Sequence, residues 1–404
     1  SKNLKAIHVR AEARAATSAA FAAAARQTGK HLITDPRNQS LMNDGTIFLM
    51  RPKNLTGDLP ARNHQLAQVP FIDMIDVPAI GRYKVKRMGC AACPIRCSRL
   101  SIVAEGPYAA EVEGPEYETT NALGPMCWNS DPAVVIRANY LCNDYGLDTI
   151  STGVTIAFAM ECHERGLLSD PDLSLAWGDG PSIVGLIEKI GKREGIGDVL
   201  AEGTRRAAQA IGGGAEECAM QVKGLEMPRQ EPRFAKGFGL GHATSNRGGC
   251  HMRGNMLGPE VLALPRLIDR FATQGKAGIV AIHQHSAAVI DSLVLCKFTN
   301  LAVAEEYFAR LLTAVTGHPY KADDLMRIGE RVWNLERLYN LREGFTRADD
   351  TLPARLLNEP SPAGPSAGFT VRLEPMLEEY YEFRGWGTNG VPTPAKLKIL
   401  ELDS

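Results

Sequence analysis

The sequence lacks long apolar runs and a surplus of charge of either sign. No uninterrupted apolar stretch approaches the roughly 20 residues that a membrane helix requires. The net charge is −1, from 45 basic and 46 acidic residues, and no run of Lys and Arg is long enough to follow a phosphate backbone. We therefore expect neither a membrane nor a nucleic acid as a partner.

The N-terminal residues lack the hydrophobic core and cleavage site typical of secretion. The stretch AEARAATSAAFAAAARQTGK has Glu12 as its one acidic residue, as a transit peptide would. However, a strand-like segment precedes it, and its pattern is more typical of an ordinary buried helix. The chain begins with Ser1 and not Met, which suggests that it was trimmed, split or begun inside a longer reading frame. We expect a cytoplasmic protein.

Helix signals dominate, so the fold should be mostly α, with few short strands. The segment DPAVVIRANYLCNDYG shows the pattern, with Asp131 as N-cap, Pro132 at the first helical position and Gly146 where the helix stops. Apolar residues at helical spacing predict further helices in STGVTIAFAMECHERG, GPSIVGLIEKIGKREG, GDVLAEGTRRAAQAIG, KAGIVAIHQHSAAVIDSLVL and ADDLMRIGERVWNLERLYNLREG. Strand signals are confined to LKAIHVR and TIFLM.

Three segments are expected along the chain. A Pro-, Arg- and Gly-rich loop, KGLEMPRQEPRFAKGFGLGHATSNRGG, separates two helical halves near residue 220. Residues 1–14 would be an orphan strand from a sheet outside this chain, because a lone terminal strand has no neighbour in sequence to pair with. Residues 15–219 and 220–404 would each form a helical domain, the second closing with the helix EPMLEEYYEFRGW.

The chain has nine cysteines, and three of them, Cys90, Cys93 and Cys97, lie within GCAACPIRCSR. This clustering favours a metal site in a reducing compartment over a disulfide framework. Three sulfurs leave a tetrahedral site one ligand short. A zinc site is one alternative, although the usual second pair of Cys or His ligands is missing. A radical S-adenosylmethionine enzyme is another, but its three cysteines are usually separated by three and then two residues, near the start of a parallel barrel. The candidates for a fourth ligand are Cys127, Cys142, Cys162, Cys218, Cys250 and Cys296.

Two polar clusters contain candidate catalytic residues. EVEGPEYETT places Glu111, Glu113, Glu116 and Glu118 around a Gly-Pro turn. It is either a solvated loop or a turn that draws a carboxylate into a pocket, where a raised pKa would suit proton transfer. TSNRGGCHMRG sets Arg247 beside a Gly-Gly turn whose exposed amides would suit an anion, followed by His251, which is otherwise a structural loop histidine.

Several motifs together resemble those of the tungsten-containing aldehyde ferredoxin oxidoreductases. They are the three-cysteine run, EGPEYET, GLDTISTG, ATSNRGGCH, DSLVLCKF and IGERVWNLERLYNLREG, and they follow the family's order over essentially the whole chain. The resemblance implies the helical C-terminal domains of that family. It also implies a four-iron, four-sulfur cluster held by Cys90, Cys93, Cys97 and, as the remote ligand, Cys296.

The resemblance further implies a tungsten, or sometimes molybdenum, centre held by the dithiolenes of two pterin cofactors. The family binds these with two segments of the form Asp-x-x-Gly-Leu-Asp/Cys, which correspond here to NDYGLD and DSLVLC. The residues implied are Asn143, Leu147, Asp148, Asp291 and Leu295. A carboxylate there can accept two hydrogen bonds from a pterin. Asn143 replaces the family's Asp and Val294 its Gly, so pterin binding should be altered in strength or orientation.

Glu118 and His251 match the family's carboxylate and histidine beside the metal. The implied reaction is the two-electron oxidation of an aldehyde to a carboxylic acid, with oxygen from water. Glu118 would be the general base, and His251 would hydrogen-bond the carbonyl oxygen. Electrons would leave singly through the cluster to ferredoxin or another acceptor.

The chain departs from the family in two further respects. Some members join subunits through an iron bound by Glu-x-x-His, where this chain has Arg137 and Tyr140; an oligomer is possible, but this bridging metal should be absent. Family members also carry an N-terminal β-rich domain beneath the pterins, of which LKAIHVR resembles the last strand. That domain would have to be supplied in cis or in trans, and without it the chain should be inactive.

Two other functions fit the sequence. One is an electron-transfer or assembly subunit that has lost the pterin and keeps only the cluster. Asn143, Val294 and the missing N-terminal domain are the reasons for considering it. A related branch reduces the aromatic rings of coenzyme A thioesters on the same scaffold, although EGPEYET and RGGCH are typical of the aldehyde-oxidising members.

Overall fold

A computed structural model describes residues 6, 8, 10 and 18–403. The predicted strand at 4–10 and the expected orphan segment 1–14 therefore lie outside the described residues, except for positions 6, 8 and 10. The rest is mainly helical with two small antiparallel sheets, so the predicted mostly-α fold is confirmed. None of the described helices combines the length and apolarity that a membrane crossing requires.

The α-helices of the described chain fall into three runs. The first comprises α1 Ala19–Thr34, α2 Gln39–Asp44, α3 Met50–Thr56 and α4 Val77–Gly81. The second comprises α5 Tyr117–Leu123, α6 Pro132–Tyr145, α7 Thr149–Glu164, α8 Gly180–Lys192, α9 Ile196–Leu200, α10 Thr204–Ile211 and α11 Lys236–Thr244. The third comprises α12 Ala277–Ser292, α13 Glu305–Thr316, α14 Ala322–Arg342, α15 Ala354–Asn358, α16 Leu373–Arg384 and α17 Pro394–Ile399.

Local signals explain where many of these helices begin and end. Asp131 caps α6 by accepting the Ala133 N–H at 2.8 Å, and Gly146 ends the helix with φ 68°, as predicted. The predicted single helix of GDVLAEGTRRAAQAIG is instead two, α9 and α10, because Gly203, at φ 84°, breaks it. The expected closing helix, α16, is followed by α17.

A three-stranded sheet that the strand signals did not reveal carries the cysteine loop. It comprises β1 Lys84–Met88, β2 Ser98–Val103 and β3 Ala110–Glu113, in the order β1-β2-β3. A second, two-stranded sheet joins β4 Gln221–Val222 to β5 Leu225–Glu226. Half-buried and buried residues alternate along β2, whereas the middle of β1 is exposed. The sequence of β1 therefore shows no alternation of apolar and polar residues that would predict a strand.

Two other sequence predictions are wrong. TIFLM is not a strand but part of the 3₁₀ helix Gly45–Leu49, which leads directly into α3. The predicted loop after residue 220 contains α11, every residue of which is buried. Its glycines allow close packing, because a Cβ on Gly241 would lie 2.8 Å from the Gly254 carbonyl oxygen. The initial helix, α1, is also less buried than expected, since it buries only Ala24, Thr28 and Leu32.

The apolar interior of the described chain forms two main clusters. One draws on residues between 47 and 219, and the other on residues between 222 and 386. Buried ionic contacts cross between these parts: the Arg355 guanidinium donates to both Glu161 carboxylate oxygens, from Nη1 at 2.9 Å and from Nη2 at 2.5 Å. The division into domains at about residue 220 stays a prediction.

Candidate functional site

The cysteine loop is the connection between β1 and β2. Cys90 lies two residues after β1, Cys97 immediately precedes β2, and the Cys93 N–H donates to the Cys90 carbonyl oxygen at 3.1 Å. Arg87 braces the loop by donating from Nη2 to the Ile95 carbonyl oxygen at 3.0 Å. The hairpin therefore presents three thiols from a fixed backbone, with Cys90 exposed and the other two half-buried.

Cys296, 199 positions after Cys97 in the chain, reaches the same place. Burial and the charges of Glu116, Cys296 and Cys93 raise the pKa of Cys97 to about 11. Partial loss of solvent and the charges of Cys93 and Cys90 likewise raise the pKa of Cys296. The four cysteines predicted to share a cluster thus lie close enough to influence one another electrostatically. Among the described residues no group of three His, Cys, Asp or Glu is arranged to hold a single metal ion.

The two segments predicted to bind pterins have the same backbone turn. At the end of α6, Gly146 N–H donates to Asn143 O at 3.2 Å and Leu147 N–H to Cys142 O at 2.7 Å. At the end of α12, Val294 N–H donates to Asp291 O at 3.1 Å and Leu295 N–H to Ile290 O at 3.0 Å. This is the helix-ending arrangement in which the residue at the turn takes a positive φ. The similarity between NDYGLD and DSLVLC is therefore structural.

The polar groups of these turns face outward. Asn143 and Asp148 are exposed, and Asp148 also caps α7 by accepting the Ser151 N–H at 2.8 Å. Asp291 is about half exposed, and its Oδ2 lies 3.0 Å from Arg253 Nε. Donors of a flat heterocycle could reach the free acceptor positions of these side chains.

Glu118 is fixed by backbone and side-chain donors. It lies in the first turn of α5, and its Oε2 accepts the Arg229 N–H while its Oε1 accepts the Gln230 amide, both at 2.8 Å. The Tyr117 hydroxyl donates to the Arg229 carbonyl oxygen at 2.7 Å. This second contact also joins the start of α5 to the segment that contains Arg229 and Gln230. EVEGPEYETT is therefore not a solvated loop throughout: it is β3, a turn and the start of α5.

His251 lies beside Glu118, with its Nε2 3.8 Å from Glu118 Oε1. Side-chain exposure is 21% for the histidine and 15% for the glutamate, so the pair lines a partly enclosed surface. Burial lowers the pKa of His251, although the charge of Glu118 opposes this effect. The structure thus brings together the predicted catalytic residues, in surroundings that favour the neutral form of the imidazole.

The amides of the Gly-Gly turn are not exposed, contrary to the sequence prediction. Gly248 and Gly249 are buried, and the Gly249 N–H donates to the Val222 carbonyl oxygen at 3.1 Å. A Cβ on Gly248 would lie 2.6 Å from that same oxygen, so the glycines serve close packing against β4 and not anion binding. Arg247 beside them is exposed.

Arg229 is the chief site residue that the motifs did not reveal. It is fully buried, yet Nε, Nη1 and Nη2 all lack a hydrogen-bond partner among the described residues. Burial lowers the pKa of Arg229, while the charges of Glu118 and, more weakly, Asp148 oppose this effect. An unpaired buried guanidinium is costly. The only sequence signal was an arginine in a Pro-rich loop, which is ordinarily a surface feature.

Two buried histidines complete the polar surroundings. Both ring nitrogens of His242 lack a partner within the described chain, as does Nε2 of His64. Burial lowers the pKa of His242 to about 3 and that of His64 to about 4. The charges of His251 and Arg229 contribute to the lowering for His242, which places it near the Glu118–His251 pair.

A mainly apolar cavity of about 250 Å³ is connected to this pair through neighbouring residues, although neither Glu118 nor His251 lines it. Thr46 lines it and also accepts the Tyr117 N–H at 2.8 Å, one residue before Glu118. Asn255, four residues after His251, lines the cavity too. Its apolar wall includes Phe48, Leu49, Leu257, Leu262, Leu264 and Phe298.

Comparison with known proteins identifies close relatives of the whole chain. Residues 23–402 match the family model described as aldehyde ferredoxin oxidoreductase, domains 2 and 3. The tungsten-containing aldehyde ferredoxin oxidoreductase of Pyrococcus furiosus is 42% identical over 100% of this chain and 67% of its own length. That of Thermococcus kodakarensis is 40% identical over 96% of this chain and 65% of its own length. The chain thus spans about two thirds of these relatives.

Two other proteins are more distantly similar. The WOR-like subunit of an aliphatic sulfonate oxidoreductase of Pyrococcus furiosus is 31% identical over 77% of this chain and 49% of its own length. Among solved structures, the active-site complex of benzoyl coenzyme A reductase with 1,5-dienoyl-CoA superposes with a TM-score of 0.72 at 20% identity. The match covers 95% of this chain and 64% of the other, and at that identity it shows a shared fold alone.

Proposed function

Because the chain belongs to the aldehyde ferredoxin oxidoreductase family, of which it spans domains 2 and 3, we propose that it is part of a tungsten- or molybdenum-pterin oxidoreductase. It oxidises aldehydes to carboxylic acids and passes electrons through a four-iron, four-sulfur cluster to ferredoxin or another acceptor. The observation that carries this proposal is the 3.8 Å approach of His251 to Glu118, beside the buried Arg229 guanidinium, which has no hydrogen-bond partner among the described residues.

The residues present fit an anionic cofactor. A dithiolene-bound metal centre is negatively charged, and the three unpaired nitrogens of Arg229 supply the charge and the donors to receive such a group. The outward-facing Asn143, Asp148 and Asp291 suit the amino and ring N–H groups of pterins. When bound, the metal would take up the two electrons released by the aldehyde.

The four cysteines fit an iron–sulfur cluster. Thiolates are its usual ligands. From two distant parts of the chain, Cys296 contributes to the raised pKa of Cys97, and Cys93 and Cys90 contribute to that of Cys296. Glu116 raises the pKa of Cys97 and lies two residues from Glu118. The cluster would therefore lie near the catalytic pair, as an electron path requires.

Glu118 acts as the general base. Each of its carboxylate oxygens accepts one hydrogen bond, which fixes the side chain and leaves further acceptor positions free. A water molecule directed to the aldehyde carbon would lose its proton to this carboxylate as the carbon–oxygen bond forms. Arg229 and Gln230 position the base, and Arg229 also offsets its negative charge.

His251 acts as a hydrogen-bond donor. Burial keeps it neutral, so it retains one N–H. At 3.8 Å its Nε2 is beyond hydrogen-bonding distance of Glu118 Oε1. The ring can therefore direct its donor to the carbonyl oxygen, where negative charge develops as water adds.

The apolar cavity accommodates the substituent of the aldehyde. Thr46 and Asn255 link its wall to the segments that carry Glu118 and His251, and its volume suits a small aromatic or short aliphatic group. Aldehydes with apolar side chains should consequently be better substrates than strongly polar ones. Leu257→Trp would narrow the cavity and should raise KM for bulky aldehydes more than for acetaldehyde. An equal change in KM for both would contradict this assignment.

The experiment that tests the proposal uses the native complex that contains this chain, purified without oxygen. Elemental analysis should find tungsten or molybdenum together with about four iron atoms per chain, and aldehydes should drive reduction of a viologen dye. An aryl coenzyme A thioester assayed in parallel should not be reduced. A complex with iron but neither tungsten nor molybdenum would contradict the proposal.

A cluster-bearing subunit without its own pterin is the second candidate. Two observations favour it: Asn143 removes one carboxylate from the first turn, and Val294 places a β-branched residue where φ is positive. Aldehyde-dependent dye reduction, lost on removal of the tungsten or molybdenum, would exclude it. The unpaired Arg229 beside Glu118 favours the first candidate.

A further inference from the structure

The strand that leads into the cysteine loop is strongly basic, although the chain as a whole has a net charge of −1. Between Asp76 and Glu105 the sequence contains no acidic residue. It contains six basic residues over that span, namely Arg82, Lys84, Lys86, Arg87, Arg96 and Arg99. The first five of these define what we term the basic hairpin.

The basic hairpin lies on the surface. Arg82, Lys86, Arg87 and Arg96 are exposed, and Lys84 is half-buried. In the described part of the chain, none of the five forms an ion pair, whereas Arg99 is buried and lies 4.0 Å from Glu116. The positive charge of this surface is therefore not neutralised by neighbouring carboxylates.

Charge is divided between the two edges of the sheet. The edge strand β1 carries Lys84, Lys86 and Arg87, while the opposite edge strand β3 exposes Glu111 and Glu113. Cys90 lies at the basic side of the sheet, at the end of β1, and is itself exposed. The tip of the loop adds the small, exposed apolar residues Ala91, Ala92 and Pro94. An apolar centre with a charged rim is typical of a protein interface.

We propose that the basic hairpin and the tip of the cysteine loop form the docking surface for a small, acidic, one-electron carrier protein. The proposal rests on the proposed function, because it requires a cluster at Cys90, Cys93, Cys97 and Cys296. Oxidation of one aldehyde with water gives the carboxylic acid, two protons and two electrons. Two oxidised carrier molecules, each taking one electron at this surface, are reduced per aldehyde.

Electrostatics would act mainly on the rate of encounter. Unpaired charges of one sign around an electron exit raise association rates by about 10- to 1,000-fold at low ionic strength. The effect weakens once the screening length, about 10 Å at 0.1 M salt, becomes shorter than the patch. A transient electron-transfer complex needs speed more than affinity, and its interface is correspondingly small.

Charge reversal in the basic hairpin tests the proposal in the native complex. Arg82→Glu with Lys86→Glu changes exposed side chains, whereas Arg87 is left intact because it braces Ile95. Lys398→Glu, on exposed α17, is the control. The probe is a purified, strongly acidic ferredoxin with a single one-electron cluster, and a neutral viologen-type dye serves as the second acceptor.

We expect the double variant to reduce the ferredoxin at least about tenfold more slowly than wild type at 20 mM salt, with the difference shrinking at 0.5 M. Dye reduction and metal content should stay unchanged, and Lys398→Glu should behave as wild type. Equal ferredoxin rates in all three proteins would overturn the proposal. A loss of metal would also overturn it, because the surface would then serve assembly of the native complex. Aggregation alone would overturn it too, because the charges would then protect an edge strand. Absence of dye reduction in wild type would instead refute the proposed function.

Discussion

Gly146 and Val294 occupy the same position of the same helix-ending turn, with φ angles of 68° and 55°. Glycine adopts this conformation at no steric cost, whereas a β-branched residue is strained there. The side chain of Val294 is 91% exposed, so no packing compensates for the strain. The chain thus retains a backbone shape in the second turn that its sequence no longer favours.

Val294→Gly should therefore stabilise the protein. The left-handed conformation costs about 1–2 kcal/mol for an L-residue, and the added freedom of glycine in the unfolded chain offsets part of this gain. We expect the free energy of unfolding in denaturant to rise by about 1 kcal/mol. Gly146→Val should lower it by about 1 kcal/mol or more, and Val315→Gly, in α13, should lower it by about 0.5 kcal/mol. A Val294→Gly variant less stable than wild type would contradict the strain.

Arg229 and Arg233 offer a matched pair, since both are fully buried. Arg233 is paired, with its Nε 2.8 Å from Glu231 Oε1, while the Arg229 guanidinium has no partner in the described part of the chain. In metal-free protein, Arg229→Met should raise the free energy of unfolding by about 2 kcal/mol, because it removes a buried guanidinium whose nitrogens have no hydrogen-bond partner among the described residues, and Arg233→Met should lower it by about 3–5 kcal/mol.

The same substitution should weaken the cofactor site. If Arg229 receives an anionic cofactor, the Arg229→Met complex should retain much less tungsten or molybdenum after dialysis than wild type, while its iron content is unchanged. Normal metal retention in a stabilised Arg229→Met protein would show that the guanidinium serves another ligand. Gln230→Met, which removes a donor to Glu118 but no charge, is the control.

Cys296→Ser should remove most of the iron and abolish the cluster's visible absorption, because one of four thiolate ligands is lost. Cys142→Ser changes a buried cysteine of α6 that is not assigned to the cluster, and its iron content should match wild type. Iron analysis and absorption spectra of both variants, prepared without oxygen, check this assignment. Full iron content in Cys296→Ser would refute it.

Buried histidines should make stability depend on pH. The pKa of His64 is lowered to about 4 and that of His242 to about 3, chiefly by burial, against about 6.5 in an unfolded chain. Between about pH 4 and 6.5 the unfolded chain therefore binds protons that the folded chain does not. Stability is greatest above pH 6.5 and falls as the pH drops, by up to about 1.4 kcal/mol per unit for each histidine.

Removal of one such histidine should flatten this dependence. His242→Phe keeps an aromatic ring against Phe238, whose centroid lies 5.9 Å from that of His242, but has no group to protonate. Denaturation series at pH 5 and 7 should show a smaller loss of stability than in wild type. His318→Gln, at an exposed position, should leave the dependence unchanged, and an unchanged slope in His242→Phe would contradict the pKa shift.

Periodic apolar patterns predicted the long helices α6, α7, α12 and α14 well, because each buries one face or lies wholly within the core. Glycines with positive φ follow α6, α7 and α14, whereas α12 ends without one, at Val294. The hairpin that carries the cysteines was not predicted, since β1 is an exposed edge strand whose residues, Lys84–Met88, do not alternate. α11 was missed for the opposite reason. It is buried on all sides, and its glycines, which disfavour a helix locally, are required by close backbone contacts such as Gly241 with Gly254.

The candidate site followed from motifs only in part. Glu118 and His251 came from resemblance, and the structure brings them together. The role of Arg229 depends on the absence of a buried partner, which no local pattern encodes. The amides of Gly248 and Gly249 were assigned to an anion because sequence does not reveal that β4 already accepts one of them.

The most direct measurement is the kcat for aldehyde-dependent dye reduction by the native complex, compared between wild type and Glu118→Gln in preparations with equal tungsten or molybdenum and equal iron. Loss of a general base typically costs 100- to 10,000-fold, and glutamine keeps the size of the side chain. We predict that wild type oxidises aldehydes and that kcat of Glu118→Gln falls by at least about 100-fold. An active wild type with an unchanged kcat in Glu118→Gln would contradict the account.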